Sequence, residues 1–247
     1  MGKQISLFFD DGGVLSDNNV RGPQWRELVA DYLNPRYGGT RDSWKKANEV
    51  VFGKFMEQYE NNYSQRTDYD YVEFIDEQDI LWLTGMFDFV GLPAPAPENQ
   101  LSISRAVQQW VATRVRAAFP GIIDVVRDLW TQGYPLYTAS GETSWMLKAH
   151  LQGMGLLDCF QAFYGPDLIR TAKGGPLFYQ RTFTHATIDP QTAIVIEDRP
   201  RYLEAAKTTG AQVIQSCVTG DYTPMVPYYY EHSNELPQLI MEVTNSI

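Results

Sequence analysis

The stretch Ile5-Ser6-Leu7-Phe8-Phe9 runs straight into Asp10-Asp11-Gly12-Gly13. It has the length of a strand and is almost wholly apolar, as suits a strand buried on both faces of a parallel sheet. Two carboxylates at its end place acid at the carboxyl edge of that sheet, where open α/β folds bind ligands. The two glycines let the backbone come close to a ligand or metal.

A parallel sheet needs further strands joined by crossover helices. They do not follow at once. Residues 23–33, 42–59, 68–90 and 100–118 carry apolar residues at helical spacing, with Pro23 read as a helix start, Asn34-Pro35 as a break, and Thr40 or Asp42 as a cap for the second helix. Gly91 to Pro97 reads as a stiff connector. Alternation begins at Phe119. Strands are expected at 134–141, 160–164, 193–196 and 211–215, separated by helices at 121–129, 143–152, 176–185 and 200–209, with a last helix at 236–243. The expected fold is α/β: a Rossmann-like parallel-sheet core made of residues 1–17 and 119–247, with an inserted all-helical domain at 18–118.

At 247 residues and 44% hydrophobic, the chain can bury a full core. Its net charge of -10 argues against a nucleic-acid partner or an anionic membrane. Cys159 and Cys217 stand alone in apolar surroundings and suggest neither a disulfide framework nor a zinc site. No signal peptide and no membrane-spanning run is read, so a cytoplasmic protein, monomeric or homodimeric, is expected.

Three expected strand ends carry polar side chains: Asp10, Thr138 and the pair Glu197-Asp198. Lys173 lies in a loop between the last two. In a parallel sheet these ends share one edge. Carboxylates with a glycine carbonyl suit a hard octahedral cation such as Mg²⁺. A lysine and a hydroxyl beside it can hold the other oxygens of a phosphoryl group, which describes phosphoryl transfer to a carboxylate nucleophile.

This order of motifs resembles the haloacid dehalogenase-like (HAD) hydrolase superfamily, in its helical-cap, phosphoglucomutase- and phosphonatase-like branch. The resemblance rests on Phe9-Asp10-Asp11-Gly12-Gly13-Val14-Leu15, Phe119-Pro120-Gly121, Leu136-Tyr137-Thr138-Ala139-Ser140, Lys173 and Ile194-Val195-Ile196-Glu197-Asp198. It implies that Asp10 is the nucleophile and a Mg²⁺ ligand, and that the Gly12 carbonyl is a second ligand. Thr138, with Ser140 as its neighbour, would bind the transferring group of a small phosphorylated substrate. Lys173 would neutralise Asp10 and the phosphoryl oxygens, and Asp198 with Glu197 would complete the metal site.

One position departs from the family. Its phosphatases keep a second Asp two residues after the nucleophile as general acid and base, and here that residue is Gly12. Loss of such a group costs ~10²–10⁴ in rate. The resemblance therefore leaves two alternatives beside an ester phosphatase of weak activity. One is C–P or carbon–halide displacement on the same scaffold. The other is a metal- and phosphate-binding regulatory protein with weakened catalysis. A phosphonatase needs a cap lysine as Schiff base, and Lys45, Lys46 and Lys54 are the candidates, all three expected to face solvent. His150, His185 and His232 are expected at the surface or at helix ends.

Overall fold

The computed structural model of the protein describes residues 4–58 and 71–246. Its centre is a six-stranded parallel sheet, β1 (Ser6–Phe9), β2 (Leu136–Ala139), β3 (Phe160–Tyr164), β4 (Ala193–Glu197), β5 (Gln212–Ser216) and β6 (Tyr229–Tyr230). The strand order is β3-β2-β1-β4-β5-β6, which places β1 in the interior. Leu7 pairs with Leu136 on one side and with Ile194 on the other. Every residue of β1 is buried, Ser6 included, as suits an interior strand of a parallel sheet.

The two faces of the sheet carry separate cores. Leu7, Phe9, Leu136, Ile194, Ile196 and Ile214 pack with α5 (Ile122–Thr131) and α10 (Leu236–Ser246) on one face. Phe8, Ala139, Val195 and Val213 pack on the other with α8 (Pro176–Ala186) and α9 (Pro200–Lys207). Strand alternation thus assigns odd and even positions of β1 to different cores. Helices α6 (Ser144–Met154) and α7 (Pro166–Ile169) complete the α/β part.

Among the described residues, four α-helices come between β1 and α5: α1 (Asn18–Tyr37), α2 (Arg41–Gln58), α3 (Tyr71–Val90) and α4 (Pro97–Ala112). They share a core of their own around Val29, Leu33, Trp44, Leu83, Phe87 and Val111. The chain leaves and re-enters the sheet side by side. Asp17 N–H donates to the Ala117 carbonyl at 2.8 Å, and Phe119 N–H to the Leu15 carbonyl at 3.1 Å. The Gln24 carboxamide clasps the Arg116 backbone, accepting from its N–H at 2.8 Å and donating to its carbonyl at 2.9 Å.

Several elements differ from expectation. Helix α1 starts at Asn18, not Pro23, and runs through Pro35. The Asp17 carboxylate caps its start by accepting from Asn19 N–H, and burial of Val29, Ala30 and Leu33 outweighs the bonds the two prolines cannot make. Helix α4 ends at Ala112, because residues 115–119 extend to pair with 15–17. Thr40 and Ser43 bond each other reciprocally and start α2. Tyr229–Tyr230 is a short sixth strand, with Tyr230 fully buried. The expected helix ends at Tyr59 and Asp68 fall outside the described residues.

Candidate active site

The carboxyl ends of β1, β2 and β4 and the loop before α8 meet at one edge. Asp10, the first residue after β1, and Glu197, the last of β4, point to the face that carries α8 and α9. Lys173 enters between them, its Nζ 3.0 Å from Asp10 Oδ2 and 2.5 Å from Glu197 Oε2. This lysine is only 1% exposed. Burial alone would push its ammonium down, but the facing Asp10 and Glu197 carboxylates hold it well above the usual lysine range. Lys173 also lies over the Tyr202 ring, 4.9 Å from its centroid, which adds a cation–π contact.

The carboxylates are not equivalent. Glu197 Oε1 accepts from the backbone N–H groups of Asp198 and Arg199, both at 3.1 Å. Its Oε2 takes Lys173 and the Tyr179 hydroxyl, so both oxygens are already engaged. Burial and the nearby Asp10 raise its carboxyl well above the ordinary range. Asp198 is different. Its Oδ1 is buried and, among the described residues, accepts no hydrogen bond, and burial raises its carboxyl as well. An oxygen desolvated without a partner is costly, and a cation is what such an oxygen accepts. Ligand atoms of Asp10, Glu197 and Asp198 all lie within 4.8 Å of one another. An all-oxygen donor set of this kind fits a hard divalent cation, while Lys173 already offsets part of the charge.

The loop after β1 is tied down from β5. The Ser216 hydroxyl donates to the Gly13 carbonyl at 2.7 Å, and Gln215 Nε2 donates to the Asp198 carbonyl at 3.3 Å. Gly13 has φ +81°, and a β-carbon there would collide with the Asp198 carboxylate, so close packing demands glycine. Gln215 and Ser216 were not singled out in the sequence. Their signal was the same one that marked Asp10: polar side chains ending an apolar strand.

Of the two candidate hydroxyls, Thr138 pairs with Phe9 and so faces the same side as that residue, away from Asp10. It is fully buried, with its hydroxyl 3.4 Å from the Tyr164 carbonyl. Ser140 lies one residue past the end of β2. Its hydroxyl accepts from Glu142 N–H at 3.3 Å, and the neighbouring Gly141 packs against the Lys173 side chain.

The helical block covers this edge. Tyr71 and Phe74 of α3 pack on Ala172, next to Lys173. Beside the carboxylates lies a second buried set of charges. Asp11 faces Arg21 of α1 and accepts from the Ser16 hydroxyl at 3.1 Å. His150 is a correction to the expected surface position. It is buried, stacked 6.0 Å from the Trp25 ring, and burial together with the Arg21 charge lowers it to about 4. Glu142 keeps part of its side chain in solvent, yet protein surrounds its carboxyl closely enough to push it up to about 7. The lysines of α2 stay outside the site. Lys45 pairs with Glu27 at 2.5 Å, which raises it, Lys46 pairs with Glu49, and Lys54 is exposed.

A family profile described as haloacid dehalogenase-like hydrolase matches residues 46–216, which include Thr138, Lys173, Glu197 and Asp198 but not Asp10. No curated protein sequence matches the chain. Solved structures supply the first strand. The HAD-hydrolase YfnB from Bacillus subtilis, solved bound to magnesium, superposes with TM-score 0.64 at 14% identity over 96% of this chain and 99% of its own. A 2-haloacid dehalogenase from Pseudomonas syringae pv. Tomato DC3000 gives 0.66 at 14% identity, covering 97% and 99%. A HAD phosphatase from Thermococcus onnurineus gives 0.59 at 18% identity, covering 96% and 98%. No helix among the described residues is long and apolar enough to cross a membrane. A match over most of the chain, a parallel sheet and an acidic edge make one conclusion: this chain belongs to the haloacid dehalogenase-like hydrolases.

Proposed function

We propose that the protein is a Mg²⁺-dependent phosphoryl hydrolase acting on a small phosphorylated anion, with Asp10 as nucleophile and helices α1 to α4 as a cap over the site. The carrying observation is the Asp198 carboxylate: its Oδ1 is buried without a hydrogen bond among the described residues, and one of its oxygens lies within 4.8 Å of carboxylate oxygens of Asp10 and Glu197. Asp10 and Asp198 would hold the cation, with the Gly12 carbonyl, and Glu197 would stand behind them, bonded to Lys173. When bound, Mg²⁺ supplies charge neutralisation at the phosphoryl oxygens.

The chain's own groups do the rest. Asp11 N–H donates to Asp10 Oδ1 at 2.8 Å and fixes the carboxylate, while Lys173 holds Oδ2. Orientation of this kind lets a weak nucleophile attack in line. Ser140 and the amides after β2 would take the remaining phosphoryl oxygens, with Thr138 supporting them from beneath through its bond to the Tyr164 carbonyl.

A second reading, displacement of halide from carbon, is favoured by the absence of a leaving-group acid at Gly12 and by the dehalogenases among the similar structures. C–P cleavage through a cap imine is disfavoured by Lys45, which Glu27 holds protonated. Incubation with a labelled phosphoryl donor and Mg²⁺ tests the first reading. An acid-stable, hydroxylamine-labile label on the protein, absent in Asp10→Asn, is the expected result. Halide release from 2-haloacids with no label would sink it.

A further inference from the structure

Gly12 is two residues beyond Asp10, just past the bend at Asp11, on the loop that follows β1. Gly12 is extended enough to form a parallel bridge with Ser16. The space its side chain would enter is not open. A β-carbon on Gly12 would lie 2.7 Å from Asn18 Nδ2 and 3.1 Å from Asn18 Oδ1. The Asn18 carboxamide, from the first residue of α1, therefore fills the room beside the nucleophile loop. It is exposed, and among the described residues it makes no hydrogen bond with the protein.

A carboxamide donates and accepts hydrogen bonds but does not give up a proton to a departing alkoxide. Of the other proton carriers nearby, Glu142 accepts from Thr143 N–H at 2.9 Å and is the rival acid tested below, and three more are occupied. Asp11 is turned to Ser16 and Arg21, Lys173 Nζ to Asp10 and Glu197, and His150 is buried against Trp25. We propose that Asn18 stands where a leaving-group acid would stand, and that the site accordingly prefers phosphoryl donors whose leaving group departs as a stable anion, acyl phosphates above all. The inference rests on the phosphoryl-transfer reading above and narrows its substrate class.

The reaction balances without an acid. An oxygen of the Asp10 carboxylate bonds to phosphorus as the bond from phosphorus to the acyl oxygen breaks, and the acyl group leaves as a carboxylate with the bonding pair. Water then attacks the aspartyl phosphate. The Asp10 carboxylate leaves unprotonated, and the released phosphate keeps both protons of the water as dihydrogen phosphate. Asn18 would orient the leaving carboxylate, and then the water, through Nδ2 and Oδ1.

The test measures kcat/KM with Mg²⁺ for acetyl phosphate, for aryl phosphates from acidic nitrophenols to phenol, and for alkyl phosphates. Expected is a steep rise with leaving-group acidity, with acetyl phosphate above alkyl phosphates by ~10²–10⁴, the worth of a general acid. Asn18→Asp should raise alkyl phosphate turnover by about tenfold or more, flatten that dependence and add a falling limb at high pH, again by restoring an acid. A packing role for Asn18 would move none of these slopes. A flat dependence in the wild type, or a folded Asn18→Asp with unchanged slope, would overturn the proposal while leaving phosphoryl transfer intact. Alkyl phosphate turnover lost in Glu142→Gln would overturn it too, by assigning the acid to Glu142. Absence of turnover and labelling with every donor, acetyl phosphate included, would instead remove the phosphoryl reading itself.

Discussion

Arg21 Nη2 lies 2.8 Å from Asp11 Oδ2, which joins the residue next to Asp10 to the first helix of the block above it. The contact is an ion pair between two largely buried groups. Burial alone would raise the Asp11 carboxyl, but the Arg21 guanidinium, His150 and the Ser16 hydroxyl together hold it below its usual range. Both side chains are largely out of water, so the pair fixes geometry more than it adds stability.

Removing one partner should therefore cost more than removing both. Arg21→Met is expected to destabilise by about 3–5 kcal/mol, because it leaves a buried carboxylate uncompensated. Arg21→Met with Asp11→Asn should recover part of that loss. Urea unfolding of the two single variants and the double variant closes the cycle, and additivity of the two single losses would refute a coupled pair.

Gly12 and Gly13 should respond oppositely to a side chain. Gly12 lies outside the left-handed region, and its obstacle is the end of a flexible Asn18 side chain. Gly12→Asp is expected to fold and to raise phosphate ester turnover, and more so when combined with Asn18→Gly. Gly13→Ala adds left-handed backbone strain of about 1–2 kcal/mol to a collision with Asp198, and should lower both stability and metal affinity. Thermal melts and turnover on one substrate panel separate the two.

Much of this site was legible because polar residues interrupt apolar strands at Asp10, Thr138 and Glu197-Asp198, and period-2 burial makes such interruptions stand out. The assignment of faces was less legible. Which of Thr138 and Ser140 can reach the site depends on where β2 ends, since the two share a face while the strand lasts, and nothing local to β2 marks Ala139 as its last residue. Asn18, Arg21 and His150 were opaque for a related reason. Each acquires its role from a contact across the seam between α1 and the sheet edge, whereas the local pattern of α1 shows two prolines and a polar start. Tyr229–Tyr230 was too short to show strand periodicity at all.

Two buried groups beside the seam should pull stability in opposite directions with pH. Glu142 holds its proton to about 7 in the folded state, against 4.5 unfolded, so the folded state binds more protons between those values and stability falls as pH rises through them. His150 is the reverse. Its folded value is about 4 against 6.5 unfolded, so the unfolded state binds more protons and stability rises with pH over that window. The slopes offset each other in the wild type. Glu142→Gln should leave the His150 slope unmasked, and it should gain about 1–3 kcal/mol at pH 8, reduced for the partial exposure of Glu142. Chemical denaturation from pH 4.5 to 8 reads both, and an unchanged profile in Glu142→Gln counts against the buried carboxyl.

Metal should stabilise the fold through Asp198. Mg²⁺ at about a hundred times its Kd should add about 2.7 kcal/mol, visible as a rise in Tm. Asp198→Asn should lose that rise and keep the sheet. A full Mg²⁺-dependent shift in Asp198→Asn would move the cation elsewhere.

The placing of β1 in the sheet has a consequence for synthesis. This strand is made first, yet it pairs with residues 136–138 on one edge and 193–196 on the other. An emerging chain can assemble α1 to α4, whose contacts are close in sequence, long before Leu7, Phe8 and Phe9 have anything to pair with. Until residue 196 is available, one side of Leu7, Phe8 and Phe9 remains an open edge. A chain stalled or truncated before that point is expected to carry helices α1 to α4 beside an unpaired apolar strand, so that nascent-chain aggregation, more than instability of the finished fold, is the failure to look for.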